Sequence, residues 1–174
     1  NAQSFDSEDE RQRFEFDGVP ILNGAFSQSS LLLNRTLRTQ VHEALGDAAT
    51  VLDLYCGSGN FTLTREGAVV GIDHNRASVG AAQSLDRHDY RVGKEEDFHR
   101  AIREKAWDAI LIDPPRSGAL AIMPTLAQSS AQKIVYVSCD PATLARDAKV
   151  LVKEGWRPSR CTTVDMFPHT AHIE

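Results

Sequence analysis

From residue 50 onward the chain alternates short apolar runs with longer stretches in which apolar residues return every three or four positions. The runs at 50–55, 68–73, 107–112 and 134–137 are rich in Val, Ile and Leu and predict buried strands, with a weaker strand expected at 90–92. Helical spacing predicts helices at 75–85, 95–105, 119–128 and 142–152, and a short one at 61–65. A last strand is expected at 160–166, after Gly155. Strands alternating with helices imply an α/β fold with a parallel, doubly wound sheet and right-handed crossovers.

The segment before this alternation reads differently. Residues 1–10 are polar and acidic, and two extended pieces around Asp17-Gly18 predict a hairpin. Ser27, Ser29 and Ser30 are candidate caps for a helix reaching Leu45, because Leu33, Leu37, Val41 and Leu45 are spaced by fours and Gly46 is a natural stop. The organisation expected is an acidic arm and hairpin over residues 1–25, the remnant of a preceding domain or linker, followed by one domain over 26–174.

Composition narrows the class only modestly. With 41% apolar and 25% charged residues in 174, the chain suits a folded domain with a core of its own and excludes disordered and collagen-like readings. No apolar run has membrane-spanning length, so a cytoplasmic location without membrane association is the expectation. Three cysteines, Cys56, Cys139 and Cys161, form no C-x-x-C pair, and no metal is expected. The net charge of −5 argues against nucleic-acid binding by charge alone, but residues 1–20 hold six acids and two bases, which leaves −1 for the rest. Nucleic acid therefore stays open as a substrate, with a separate module supplying most of the affinity.

The candidate chemistry gathers at predicted strand ends, where open α/β sheets bind ligands. Gly57 and Gly59 permit a tight strand-to-helix turn and close ligand approach, although Thr62 replaces the third glycine of a dinucleotide fingerprint. Asp73 closes the next strand, where a carboxylate can accept from ribose hydroxyls; capping the following helix is its alternative role. Two prolines after Asp113 hold that acid at the mouth of its strand. Cys139 follows the run at 134–137 and precedes a helix whose amides favour a thiolate; the alternative is a buried structural cysteine.

Taken together, Gln28, the glycine loop, Asp113-Pro114-Pro115-Arg116, the run from Ser138-Cys139-Asp140-Pro141 to Arg146-Asp147, and the run from Asp165 to Glu174 resemble the RNA 5-methyluridine (uracil-C5) methyltransferase family. The resemblance implies a class I, Rossmann-like methyltransferase fold whose final antiparallel strand is missing from the sequence. It implies S-adenosyl-L-methionine as cofactor, with Gln28, Tyr55, Gly57, Asp73 and Asp113 around it. It also implies an RNA substrate, tRNA or rRNA, Cys139 as nucleophile, Glu174 as base, and an RNA-binding domain absent from this chain. The chemistry agrees: uracil C5 is too weak a nucleophile until a thiolate adds at C6, and a carboxylate must later remove the C5 proton. Phe167 and Pro168 are candidate walls for an unstacked base or ordinary packing, and His169 and His172 are read as hydrogen-bonding residues. Two positions depart from the family pattern: Ser30 stands for an Asn, and Asp73 for a Glu that is one methylene longer. A cytosine-C5 methyltransferase and a non-catalytic cofactor- or RNA-binding module are the competing readings.

Overall fold

The computed structural model describes residues 13–22 and 30–165. Strands β1 (Arg13–Phe16) and β2 (Val19–Leu22) form an antiparallel hairpin, followed by helix α1 (Leu31–Leu45). Its two-residue turn puts Asp17 and Gly18 at φ 51° and 76°, the left-handed conformation that matches the twist of paired strands. Arg35 grips the Asp17 carboxylate with two bonds of 2.5 and 2.8 Å, and Arg38 reaches the Asp17 carbonyl and the Thr64 hydroxyl. The hairpin is thereby tied to α1 and, through Thr64, to the loop after the next strand.

The rest is the expected alternation: β3 (Thr50–Leu54), β4 (Ala68–Asp73), α2 (Arg76–Gln83), β5 (Asp89–Val92), α3 (Glu95–Glu104), β6 (Ala109–Ile112), α4 (Met123–Ala127), β7 (Ile134–Tyr136) and α5 (Pro141–Lys153). The five strands pair in parallel in the order β5-β4-β3-β6-β7. Chain order reverses direction between β3 and β6, so the crevice of this sheet opens above those two strands.

Side-chain alternation divides the core between the two faces. Leu52, Leu54, Ile110 and Ile112 pack with Phe98 and Ile102 of α3, Met123 and Leu126 of α4, and Leu151 of α5. Val51, Ala109 and Leu111 pack on the other face with Leu37, Val41 and Leu45 of α1. These are three of the four residues whose spacing predicted the helix, and the fourth, Leu33, packs partly buried against the same cluster. Beside them, Val79 and Ala82 of α2 cover Cys56, Leu63 and Tyr90. Gly71 lies beneath the Tyr90 ring, where an added Cβ would come within 2.3 Å.

Three predicted elements differ. Residues 61–65 form a series of turns because the Phe61 carbonyl, the acceptor that would continue a helix, faces His42 Nε2 at 2.7 Å, while Arg65 N turns to Thr62 O. The helix expected from 119 starts only at Met123: Pro124 lacks an N–H and fits only the first turn, and the Ala119 amide is held by Asp147. The strand expected at 160–166 is not formed over the described residues 160–165. That stretch is mostly exposed, pairs with no strand, and is held by Val164 in the α1 core and by Arg160 bonds to Gln40 and Glu43.

Candidate active site at the strand ends

The turn after β3 is locked from two sides. Tyr55 adopts φ 62°, unusual for a bulky residue, and both its amide and that of Cys56 donate to Ile72 O, at 2.9 and 3.3 Å. Gly57 follows at φ 54°, with open space where a side chain would project. Its amide donates to Asp73 Oδ2 at 2.9 Å, while Asp73 Oδ1 accepts from the Asn75 amide at 2.7 Å. Asp73 thus braces the glycine turn against β4, and the cap of α2 falls to Asn75, whose Oδ1 accepts from Ala77 and Ser78 at 3.1 Å each. Two further contacts seat the loop: Asn34 and Asn60 exchange a reciprocal pair of amide bonds at 2.8 and 3.0 Å, and Thr62 reaches down to Asp53.

An open cavity of about 480 Å³ lies where β3, β4 and β5 end, lined by Tyr55, His74, Lys94, Glu95, Phe98 and His99. Tyr55 meets Phe98 edge to face at 4.8 Å, which gives the cavity an aromatic floor. Burial, with Glu95 nearby, pushes the Tyr55 hydroxyl up to about 12, so it is a permanent donor at neutral pH. Lys94, Glu95, Phe98 and His99 were missed by motif reading; Phe98 carried only the ordinary signal of a core helix position. The cavity has the size and the mixed apolar and carboxylate lining that suit a nucleoside.

The other half of the site is formed by β6 and β7, paired with Ile112 opposite Tyr136. Asp113 is half-buried just past β6, its amide donating to Leu54 O at 3.2 Å. Cys139 is half-buried just past β7, three residues beyond Tyr136. Their loops meet through Arg116 Nε, 3.5 Å from Asp140 Oδ2. The amides expected to favour a Cys139 thiolate belong instead to Asp140, whose Oδ1 accepts from Ala142 and Thr143 at 3.0 Å each. Those bonds, with Arg116 beside them, hold the Asp140 carboxyl below its usual range. The positive charge available on this side comes from the Arg116 guanidinium rather than from a free helix end.

The cysteines differ in what they can do. Cys56 is buried in the glycine turn, and burial together with Asp53 and Asp73 pushes its thiol well up, which removes it as a nucleophile. Cys139 is neither sealed in the core nor fully exposed, and Cys161 is exposed. Among the predicted site residues, Gly57 and Asp73 are bonded to each other next to Tyr55 at one half of the crevice, and Asp113 and Cys139 follow the neighbouring strands β6 and β7 at the other. Gln28, Glu174, Phe167, Pro168, His169 and His172 lie outside the described residues. Among the described residues no group of three His, Cys, Asp or Glu is placed to hold a metal ion, and no helix is long and apolar enough to cross a membrane.

Comparison with known proteins gives a consistent result. A family model described as tRNA (Uracil-5-)-methyltransferase matches residues 91–174. The 23S rRNA (uracil(1939)-C(5))-methyltransferase RlmD of Alcanivorax borkumensis is 43% identical over 137 residues, covering 72% of this chain and 31% of that relative. Its counterpart from Acinetobacter baylyi is 41% identical over 179 residues, covering 90% and 39%. The chain spans about a third of the length of most of the curated relatives it matches. Among solved structures, the Pyrococcus abyssi tRNA (uracil-54, C5)-methyltransferase in complex with S-adenosyl-L-homocysteine superposes with a TM-score of 0.79 at 30% identity, over 94% of this chain and 43% of that one. Aeropyrum pernix fibrillarin, at 14% identity, covers 97% of this chain and 82% of that one with a TM-score of 0.57 and shares the fold alone. The parallel sheet is that of the class I methyltransferases, and the chain belongs to the RNA uracil-C5 methyltransferase family.

Proposed function

We propose that the protein methylates C5 of a uridine in RNA through a covalent bond between Cys139 and C6 of the base. The observation that carries this reading is the pairing of two half-sites at the ends of one sheet: a nucleoside-sized cavity where β3, β4 and β5 end, and a half-buried cysteine just past β7, the neighbour of the strand that leads to Asp113. Tyr55, Gly57, Asp73, Asp113 and Gln28 are assigned to S-adenosyl-L-methionine. The open space above Gly57 and the aromatic floor of the cavity fit that assignment. When bound, the cofactor supplies an electrophilic methyl group.

Cys139 adds as a thiolate to C6, forming the S–C bond and pushing the C5–C6 electron pair toward C5, which would take the methyl group as the sulfonium S–CH3 bond breaks and its electron pair stays on sulfur. Asp113, fixed by the prolines that follow it, orients the groups meeting in the crevice. Glu174 is assigned to removing the C5 proton, after which the electron pair returns to form C5=C6 and the thiolate leaves. The base must be presented unstacked, because C5 and C6 are reached only outside a helix. Ribosomal RNA is the favoured target: the relatives named for 23S rRNA reach 41% and 43% identity, against 30% for the enzyme named for tRNA.

The test is RNA carrying 5-fluorouracil, whose C5 fluorine cannot leave as a proton. With S-adenosyl-L-methionine the protein is expected to form a stable covalent complex, and Cys139→Ala to form none while still binding S-adenosylhomocysteine. On ordinary uridine, Glu174→Gln is expected to accumulate the adduct that the unaltered protein turns over. Methyl transfer by Cys139→Ala would overturn the mechanism, and a preference for tRNA over a 23S rRNA fragment would overturn the target.

A further inference from the structure

Asp147 lies within α5, the helix that follows Cys139, and is fully buried, with no exposed surface. Its carboxylate gathers donors from three elements. Oδ2 accepts from the Ala119 amide at 2.6 Å and from the Tyr136 hydroxyl at 2.8 Å; Oδ1 accepts from Arg146 Nε at 2.8 Å. Arg146 continues the connection through Nη2, which donates to Ser117 O at 2.8 Å and lies 2.8 Å from the same Asp147 oxygen. Gly118 sits between these bonds at φ 77°, and a Cβ there would come within 2.5 Å of the Arg146 guanidinium and 2.6 Å of the carboxylate.

The three elements so joined are those that carry the half-site of Cys139. Residues 117–119 end the loop of Asp113 and Arg116, Tyr136 ends the strand that leads to Cys139, and α5 begins just beyond that cysteine. Burying a carboxylate is costly unless it is fully hydrogen-bonded, so its presence here marks a place where geometry is held firmly. An apolar side chain would pack these elements without fixing the loop's register.

We infer that Asp147 is a positioning residue for the proposed uracil-C5 chemistry, clamping the Asp113–Arg116 loop to the strand and helix that flank Cys139. The inference rests on that proposed reading. The clamp acts through the Ala119 amide and the Tyr136 hydroxyl and touches no substrate. Asp147→Asn puts an NH2 group among N–H and O–H donors and loosens the loop relative to Cys139. Small displacements of reacting groups cost large factors in rate.

The experiment follows adduct formation on 5-fluorouracil RNA with S-adenosyl-L-methionine, for the unaltered protein, Asp147→Asn, Tyr136→Phe and Gly118→Ala. For Asp147→Asn the maximal rate at saturating RNA should fall by about tenfold or more, while the RNA concentration giving half the maximal rate stays unchanged. S-adenosylhomocysteine affinity should fall by much less than the rate, by no more than about threefold, since of the residues assigned to the cofactor only Asp113 sits on the clamped loop, while Tyr55, Gly57 and Asp73 lie on the other side of the crevice. Gly118→Ala, which strains the clamp while keeping the carboxylate, should reproduce the loss, and Tyr136→Phe should show a smaller one. Normal rates in Asp147→Asn, or equal losses of rate and S-adenosylhomocysteine affinity, would overturn the inference. Should Asp147→Asn not fold, unimpaired rates in both other variants would do so. No adduct with the unaltered protein would instead remove the functional reading beneath it.

Discussion

Asp53 carries a tension that belongs to a single residue. It is 1% exposed, it receives the Thr62 hydroxyl on Oδ2 at 2.5 Å, and its Oδ1 has no partner. Burial pushes the carboxyl up to about 7; the Thr62 bond opposes this and Asp73 adds to it. The folded state therefore holds the Asp53 proton more tightly than the unfolded chain, whose value is near 3.8. Its contribution to stability is complete below that lower value and is lost as pH rises through about 7, a loss on the order of 4 kcal/mol at most. His88 works in the opposite direction, because burial lowers its value and protonation at acid pH costs stability. Denaturant midpoints at pH 5 and pH 8 should thus show Asp53→Asn gaining on the unaltered protein at pH 8. A constant difference between the two proteins would rule out the buried proton.

At the scale of elements, caps and turns carry more than propensity. Helix α2 has only eight residues, and its start depends on Asn75 accepting from two amides. Asn75→Ala should cost about 1 kcal/mol, read as a lowered melting temperature, and Asn75→Ser should recover most of it. The Asn75 amide that donates to Asp73 is backbone and survives both changes, so S-adenosylhomocysteine affinity should hold; an unchanged melt would deny the cap its role. Periodicity and apolar runs made most elements legible: α1, β4, α3 and α5 follow from them, and Ser30, one of the candidate caps, caps α1, whereas the Asp140 cap of α5 was not foreseen. What spacing could not show was competition for backbone groups. His42 takes the Phe61 carbonyl and Asp147 takes the Ala119 amide, so one expected helix gives way to turns and the other starts late, through partners 19 and 28 residues away. The site was legible in the same uneven way. The motif glycines and acids could be singled out as candidates, whereas Phe98, Lys94 and the Asp147 clamp enter through tertiary packing and leave no local signature.

For the whole molecule, the question is how so weakly charged a chain would meet RNA. Its net charge is −5, of which residues 1–20 supply −4, so the sheet domain offers no broad basic surface by composition. Each phosphate neutralised by a protein cation releases counterions and steepens the salt dependence of binding, by roughly 0.7 per contact on a single strand. Where bases are evenly offset by acids, as the net charge of this domain implies, few such contacts are expected, and the exposed Arg116 at the mouth of the Cys139 half-site is one candidate. Fluorescence anisotropy on a labelled 23S rRNA fragment between 50 and 200 mM salt should therefore give a log–log slope of only about −2 in magnitude, and Arg116→Gln should reduce it by less than about one. A slope of about −6 would mean that the charges are segregated into a strong phosphate track, and that affinity as well as chemistry resides in this chain. A shallow slope would agree with the charge balance of the sequence, in which a separate module supplies most of the affinity and this nearly neutral sheet contributes the crevice alone.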